Sequence, residues 1–112
     1  MSIAGDLIRG HTDAIILARL LRGDSYGYEI NKIISSISSG RFELKEATLY
    51  TAFKRLEESG CIASYWGDSG AGARRRYYTI TAAGKDAYHR LIQEWLETKE
   101  IMDKLLRMEE SK

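Results

Sequence analysis

The stretch EATLYTAFKRLEESGCIASYWGDSGAGARRRYYTI, residues 46–80, changes its hydrophobic period once, and the architecture follows from where it does so. Up to Ser59 the apolar residues Leu49, Ala52, Phe53 and Leu56 recur at three-to-four spacing, the period of a helix with one buried stripe. That stripe turns Ala47, Thr48, Thr51, Lys54 and Arg55 to the other side, so a helix from about Glu46 to Ser59 presents a small, hydroxylated and basic outer face. Gly60 stands where a left-handed residue closes a helix, and beyond it the period becomes two. Ile62-Ala63-Ser64-Tyr65-Trp66 and Arg76-Tyr77-Tyr78-Thr79-Ile80 are aromatic and β-branched, as paired strands require. Between them Gly67 to Gly72 make a long flexible hairpin tip. Arg74-Arg75-Arg76, facing the lone Asp68, is the most concentrated positive charge in the chain.

Working outward, proline is absent and glycine carries the punctuation: Gly23 and Gly40 end two further helical segments. The first runs from Leu7 to Leu21, with Leu7, Ala14, Ala18 and Leu21 on one face and Ile16, Leu17 and Leu20 on the other. A helix apolar on both sides must be covered on both sides. The second, from Tyr26 to Ser38, has one core face of Ile30, Ile33, Ile34 and Ile37, with Ser25 as candidate N-cap. Downstream, Thr81 offers an N-cap for a last helix to about Met108, whose stripe of Tyr88, Leu91, Trp95, Met102 and Leu105 wants a partner.

Three helices, a hairpin and a long helix make a mainly α (α+β) winged helix-turn-helix. The expected division is a winged DNA-binding domain over residues 1–80, its first helix also serving a dimer interface, and a C-terminal dimerisation helix over residues 81–112. In that fold the third helix enters a major groove about 12 Å wide and the hairpin tip reaches the backbone or minor groove. Thr48 and Thr51 then face base edges, while Lys54, Arg55 and the arginine run face phosphates. The plainer reading of each cation is a solvated surface charge; their joint occurrence in this element order favours DNA. Tyr65, Tyr77 and Tyr78 read as strand packing rather than base-stacking platforms.

With 112 residues, 44% apolar and 29% charged, the chain is of single-domain size and globular composition, too short for a barrel enzyme or a two-halved dinucleotide fold. Seventeen basic against 16 acidic residues leave a net charge of +1, so any nucleic-acid signal is local rather than global. Cys61 has no second thiol to pair with and reads as a small buried hydrophobe in a reducing, cytoplasmic setting. The apolar run from Ala14 to Ala18 is cut by Arg19, and no membrane span or export signal is expected. His11 and His89 are isolated and read as surface or packing residues. Gly70-Ala71-Gly72 precedes a strand rather than opening a helix, so it is no nucleotide cradle. No nucleophile lies beside a base; neither an enzyme nor a cofactor is expected.

YGYE at residues 26–29, EATLY at 46–50 continuing to FKRLE at 53–57, RRYY at 75–78 and TAAG at 81–84 together resemble the PadR family of bacterial transcriptional repressors, over nearly the whole chain. The single C-terminal helix resembles its small subfamily, and SYWGD at 64–68 with Trp95 resembles the multidrug-responsive members. The resemblance implies a homodimer on a palindromic duplex operator, with flat aromatic compounds inserting between paired tryptophans at the dimer interface. Taken with the outer face of the third helix, the arginine run and the spare apolar faces of the first and last helices, it gives expected DNA contacts at Lys45, Thr48, Tyr50, Thr51, Lys54, Arg55, Arg74, Arg75 and Arg76, and expected ligand contacts at Leu7, Gly10, Ala14, Ala18, Ile92, Trp95, Lys99 and Met102. Many members have proline where this chain has Thr51, but the multidrug-responsive group also carries threonine there, so the departure fits that group. Lys99 replaces an acidic residue of that group, which removes a counter-charge for cationic compounds. Two rival readings stay open: a repressor that needs no ligand, in which Trp95 fills a dry interface, and a winged-helix module that binds protein.

Overall fold

The computed structural model describes residues 7–68, 72 and 74–108. Its elements are α1 (Thr12–Leu20), α2 (Gly27–Ile37), α3 (Glu46–Glu58), β1 (Ile62–Asp68), β2 (Arg74–Ile80) and α4 (Ala82–Leu106). The apolar stripes of the first three helices converge on Phe53, which is 1% exposed and stacks on the Tyr78 ring at 3.9 Å. Ile16, Leu17 and Leu20 close the core from α1, Ile30 and Ile34 from α2, Ile62 from β1 and Ala87 from α4. This is a winged helix with a two-stranded antiparallel wing and a long C-terminal helix.

The first helix is shorter than its apolar spacing suggests. Residues 7–9 are helical, but Gly10 and His11 form a turn before α1 begins. Glycine is a poor helix residue, and the Thr12 hydroxyl donates to the Arg9 carbonyl at 2.7 Å, giving the broken end a partner. Ser25 is not an N-cap; Tyr26 occupies that place. The Ser25 main chain instead exchanges two hydrogen bonds with Tyr78, at 3.1 and 2.7 Å, and so adds a one-residue bridge to the wing. Its hydroxyl donates to Glu29 at 2.5 Å, beside the Arg19 guanidinium at 3.3 Å.

Between α2 and α3 an extended segment buries Phe42 and Leu44. Asn31 pins it through its side-chain amide, which donates to the Leu44 carbonyl at 2.5 Å and accepts from the Leu44 N–H at 2.8 Å. β1 and β2 pair in register from Ile62 opposite Ile80 to Asp68 opposite Arg74. The strands thus take in Gly67, Asp68, Arg74 and Arg75, which the sequence reading left in or next to the tip; of that tip, residues 69–71 and 73 lie outside the described residues. Gly67 lets the Tyr77 ring lie close to the strand: a Cβ there would sit 2.8 Å from that ring and would force it to shift.

Thr81 does cap α4: its Oγ1 accepts from the Gly84 N–H at 3.0 Å. The first turns of α4 belong to the core, with Gly84 and Ala87 buried and Tyr88 and Leu91 packed against it. From residue 93 to residue 108 every position is exposed, and the helix ends at Leu106 rather than Met108.

Candidate nucleic-acid interface and adjoining groove

On α3 the burial of Leu49, Ala52, Phe53 and Leu56 leaves Ala47, Tyr50, Thr51, Lys54 and Arg55 exposed and Thr48 half-buried. Lys45 is the N-cap residue, in extended conformation. Tyr50 meets Phe53 edge-on at 5.4 Å and lies over Gly27, where an added Cβ would come within 2.6 Å of its hydroxyl; it braces α3 against the start of α2. Thr48, Thr51 and Arg55 share a depression of about 350 Å³ with Arg9, Thr12 and Ala47. Arg55 is held by Asp13 of α1: its Nε donates to Oδ2 at 3.2 Å and its Nη2 to Oδ1. That bond and the carboxylate's charge raise the pKa of the guanidinium above its already high ordinary value.

The wing has two chemically different faces because residues alternate along a strand. On one, the guanidinium carbons of Arg74 and Arg76 lie 5.3 and 5.8 Å from the ring of Trp66, which is 54% exposed. Arg76 Nη2 also donates to Ser64 Oγ at 2.8 Å and stands 3.6 Å from Glu57 of α3. On the other face Tyr65 stacks on Tyr77 at 5.6 Å, Tyr77 meets Tyr26 edge-on at 5.5 Å, and Arg75 lies 4.0 Å over Tyr26. The three arginines, adjacent in sequence, therefore do three different things.

The wing's posture is tied to the turn before α2. Tyr65 Oη donates to Asp24 Oδ2 at 2.5 Å, which with a second bond from Thr79 holds the Asp24 carboxyl below its ordinary value of 3.8 and pushes the Tyr65 phenol above 10.0. Tyr65→Phe should lower the melting temperature modestly at neutral pH. A depressed carboxyl contributes stability above its unfolded pKa and loses it as pH falls through the folded one, so the gap between native and variant should close below pH 3.8. Thermal melts across that range read it; a gap that persists in acid would place the effect elsewhere.

Across α1 from α3 lies an apolar groove of about 310 Å³ lined by Ile8, His11, Ala14, Ile15 and Ala18 on one side and Tyr88, Leu91, Ile92 and Trp95 on the other. Of the expected ligand residues it unites Ala14, Ala18, Ile92 and Trp95. Gly10 lies in the neighbouring recess, while Leu7, 70% exposed, and Lys99 and Met102 lie outside both. The sequence reading missed Ile8, Ile15 and His11, whose ring meets Trp95 edge-on at 5.1 Å. The spacing of His11, Ala14, Ile15 and Ala18 was the available signal. The recess, about 360 Å³, is polar: Arg9, His11, Thr12, Asp13, Arg55, Glu94 and Thr98 line it together with Trp95 and Leu91.

Among the described residues no group of three His, Cys, Asp or Glu could hold a metal ion, and no helix is long and apolar enough to cross a membrane. Residues 16–90 match the sequence profile described as the transcriptional regulator PadR-like family. A transcriptional regulator from Clostridium thermocellum is similar, with 45% identity over 95% of this chain and 100% of that one and a TM-score of 0.86. A PadR family transcription regulator from Clostridium difficile is 39% identical over 86% of this chain and 98% of its own, with a TM-score of 0.74. An uncharacterised Lysinibacillus sphaericus protein is 48% identical over 90% of this chain and 93% of its own.

Proposed function

The chain belongs to the PadR-like family of transcriptional regulators, DNA-binding proteins rather than enzymes, and from that premise we propose that it is a homodimeric repressor of a palindromic operator, modulated by planar aromatic compounds held at the dimer interface. The part of the chain up to residue 80 then serves DNA binding, and the part from residue 81 serves dimerisation through α4, whose first turns are seated in the winged-helix core.

One observation carries the reading. From residue 93 onward α4 is exposed on all sides, yet it carries Trp95, Leu96, Ile101, Met102, Leu105 and Leu106. So large an apolar surface on so small a chain calls for a partner, and a second copy presents the same stripe with closed symmetry. Pairing brings two Trp95 rings, each 41% exposed, and two grooves toward one axis. Flat ligands suit such a slot because aromatic stacking contributes about 0.5–1.5 kcal/mol beyond burial. It also sets two α3 faces at a fixed separation, the requirement for half-sites about one helical turn apart. A ligand that prefers the arrangement mismatched to DNA lowers operator affinity by its differential binding.

The test has three parts. Sedimentation should give a dimer, and gel shifts on the gene's own upstream DNA should weaken steeply with salt. In a Trp66→Phe background, the planar dye lumiflavin should quench Trp95 fluorescence, and Trp95→Ala should abolish the signal. A monomer that stays monomeric on duplex DNA defeats the dimer; a dimer that binds DNA but shows no quenching leaves a ligand-independent repressor.

A further inference from the structure

The apolar groove, the polar recess and the depression on α3 adjoin one another through shared lining residues. Groove and recess share His11, Ala14, Leu91 and Trp95; recess and depression share Arg9, Thr12 and Arg55. Between α1 and α3 the recess is bridged by Asp13 and Arg55, 42 residues apart, and among the described residues this is the one ion pair joining those two helices. We propose that this pair is the joint through which occupancy of the Trp95 groove alters DNA affinity, with Asp13 acting as a positioning residue for the Arg55 guanidinium on the reading helix. The inference rests on the ligand-modulated reading above and names the contact that transmits it.

The geometry supplies the mechanism. Asp13 takes the Nε and Nη2 edge of Arg55 in a fork-to-fork arrangement, which fixes the plane of the guanidinium and, among the described residues, leaves Nη1 without a hydrogen bond. Arg55 stands one turn beyond Thr51 on the outer face of α3, so a plane fixed by Asp13 presents that remaining edge beside the residues expected to meet DNA. Asp13 is also two residues from His11 and adjacent to Ala14, which both line the groove. In this proposal a flat ring stacked on Trp95 displaces the His11 ring, which meets Trp95 edge-on at 5.1 Å, and shifts the turn that leads into α1. Forked hydrogen bonds weaken steeply with angle, so a small displacement of Asp13 releases the plane of Arg55. The recess supplies Glu94, a second carboxylate able to receive the guanidinium once it turns.

Asp13→Asn preserves the shape of the carboxylate and removes its charge; Arg55→Lys preserves the charge and removes the fork. Both are measured in the full-length Trp66→Phe protein, with lumiflavin as probe and the upstream duplex as DNA. In the parent, saturating lumiflavin should lower duplex affinity about tenfold, within the usual range for coupled sites. In either variant Trp95 quenching should persist, with lumiflavin affinity unchanged within about twofold, while the dye's effect on duplex affinity falls below about twofold. Arg55→Lys alters a proposed DNA contact and should bind duplex more weakly than the parent, so its dye effect is read as the ratio of duplex affinities with and without lumiflavin at a salt concentration where it binds; Asp13→Glu, which keeps the charge and shifts the fork, provides the reading if Asp13→Asn folds poorly. Variants that bind both dye and duplex and still transmit the tenfold effect overturn the joint while leaving the proposed function intact. A parent that shows no quenching, or quenching with no effect on duplex affinity, overturns the ligand-modulated reading and the joint with it.

Discussion

Gly84→Ala is expected to lower the stability of the fold by about 3 kcal/mol, in the upper range for an overpacked site. An added Cβ would lie 2.1 Å from the Cys61 carbonyl oxygen, 3.0 Å from its carbon and 2.7 Å from Ile80 Cγ1. Two of the three atoms are main chain, so no flexible side chain can swing away. The strand entrance cannot retreat easily, because the same Cys61 carbonyl accepts the Thr81 N–H at 3.0 Å and faces the Thr81 hydroxyl at the same distance. Thr81 in turn caps the helix through the Gly84 N–H. Alanine is the better helix former by about 1 kcal/mol, which works against the clash but does not offset it. For a domain of this size the net loss should lower the melting temperature by roughly 10–20 °C. A thermal melt reads it, with Ala83→Gly, at an exposed position, as the control for helix propensity alone. A Gly84→Ala protein that melts with the parent would mean that α4 does not enter the core at this close approach.

That contact also marks where sequence reasoning stops. α3 and the wing could be read because their burial is periodic: Leu49, Ala52, Phe53 and Leu56 fall on one stripe, and β1 and β2 alternate from residue to residue. Thr81 could be read as a cap because its partner is only three residues away. Phe42 and Leu44 could not, since they lie in a segment with no period, held by an amide from Asn31 on another element. Ser25 misled for a related reason. Its type suits a cap, but the turn it occupies lies against β2, and there its main chain is more useful as a strand partner for Tyr78. The break at Gly10 and His11 interrupts an apolar pattern that would otherwise continue to Leu7.

The candidate site divides in the same way. Spacing along one helix identified the outer face of α3 and put Ala14, Ala18 and Trp95 on spare faces, and the structure brings those three into one groove. Spacing cannot say that Arg55 turns toward Asp13, or that the start of α1 carries His11 onto Trp95. Both depend on how α1 crosses α3 and α4, which is a property of the packed core rather than of any local run.

The largest expected effect on DNA binding comes from removing Lys54 and Arg74 together. The cations proposed to meet phosphates differ in what already holds them. Arg76 is committed to Ser64, Glu57 and the Trp66 and Tyr78 rings; Arg75 lies over Tyr26; Arg55 is forked to Asp13. Lys54 is exposed on α3 and Arg74 is exposed near the end of the wing, opposite Asp68 in the strand register and over Trp66, and neither makes an ion pair among the described residues. A cation without a carboxylate partner gives its full counterion release to a phosphate, about 0.9 in the slope of log affinity against log salt. Two such contacts per protomer are four in the proposed dimer, so Lys54→Ala with Arg74→Ala should flatten the slope by about 3.6 and weaken binding on the order of a thousandfold near 0.1 M salt. Arg76→Ala should behave oppositely. It removes a tie between wing and α3, so the melting temperature should fall, while the salt slope should move by less than about one. Salt titrations of duplex binding, paired with melts of each variant, separate the two. An Arg76→Ala slope change as large as that of the double variant would mean that the wing arginine gives up Glu57 on binding and that partners in the free protein do not sort these cations.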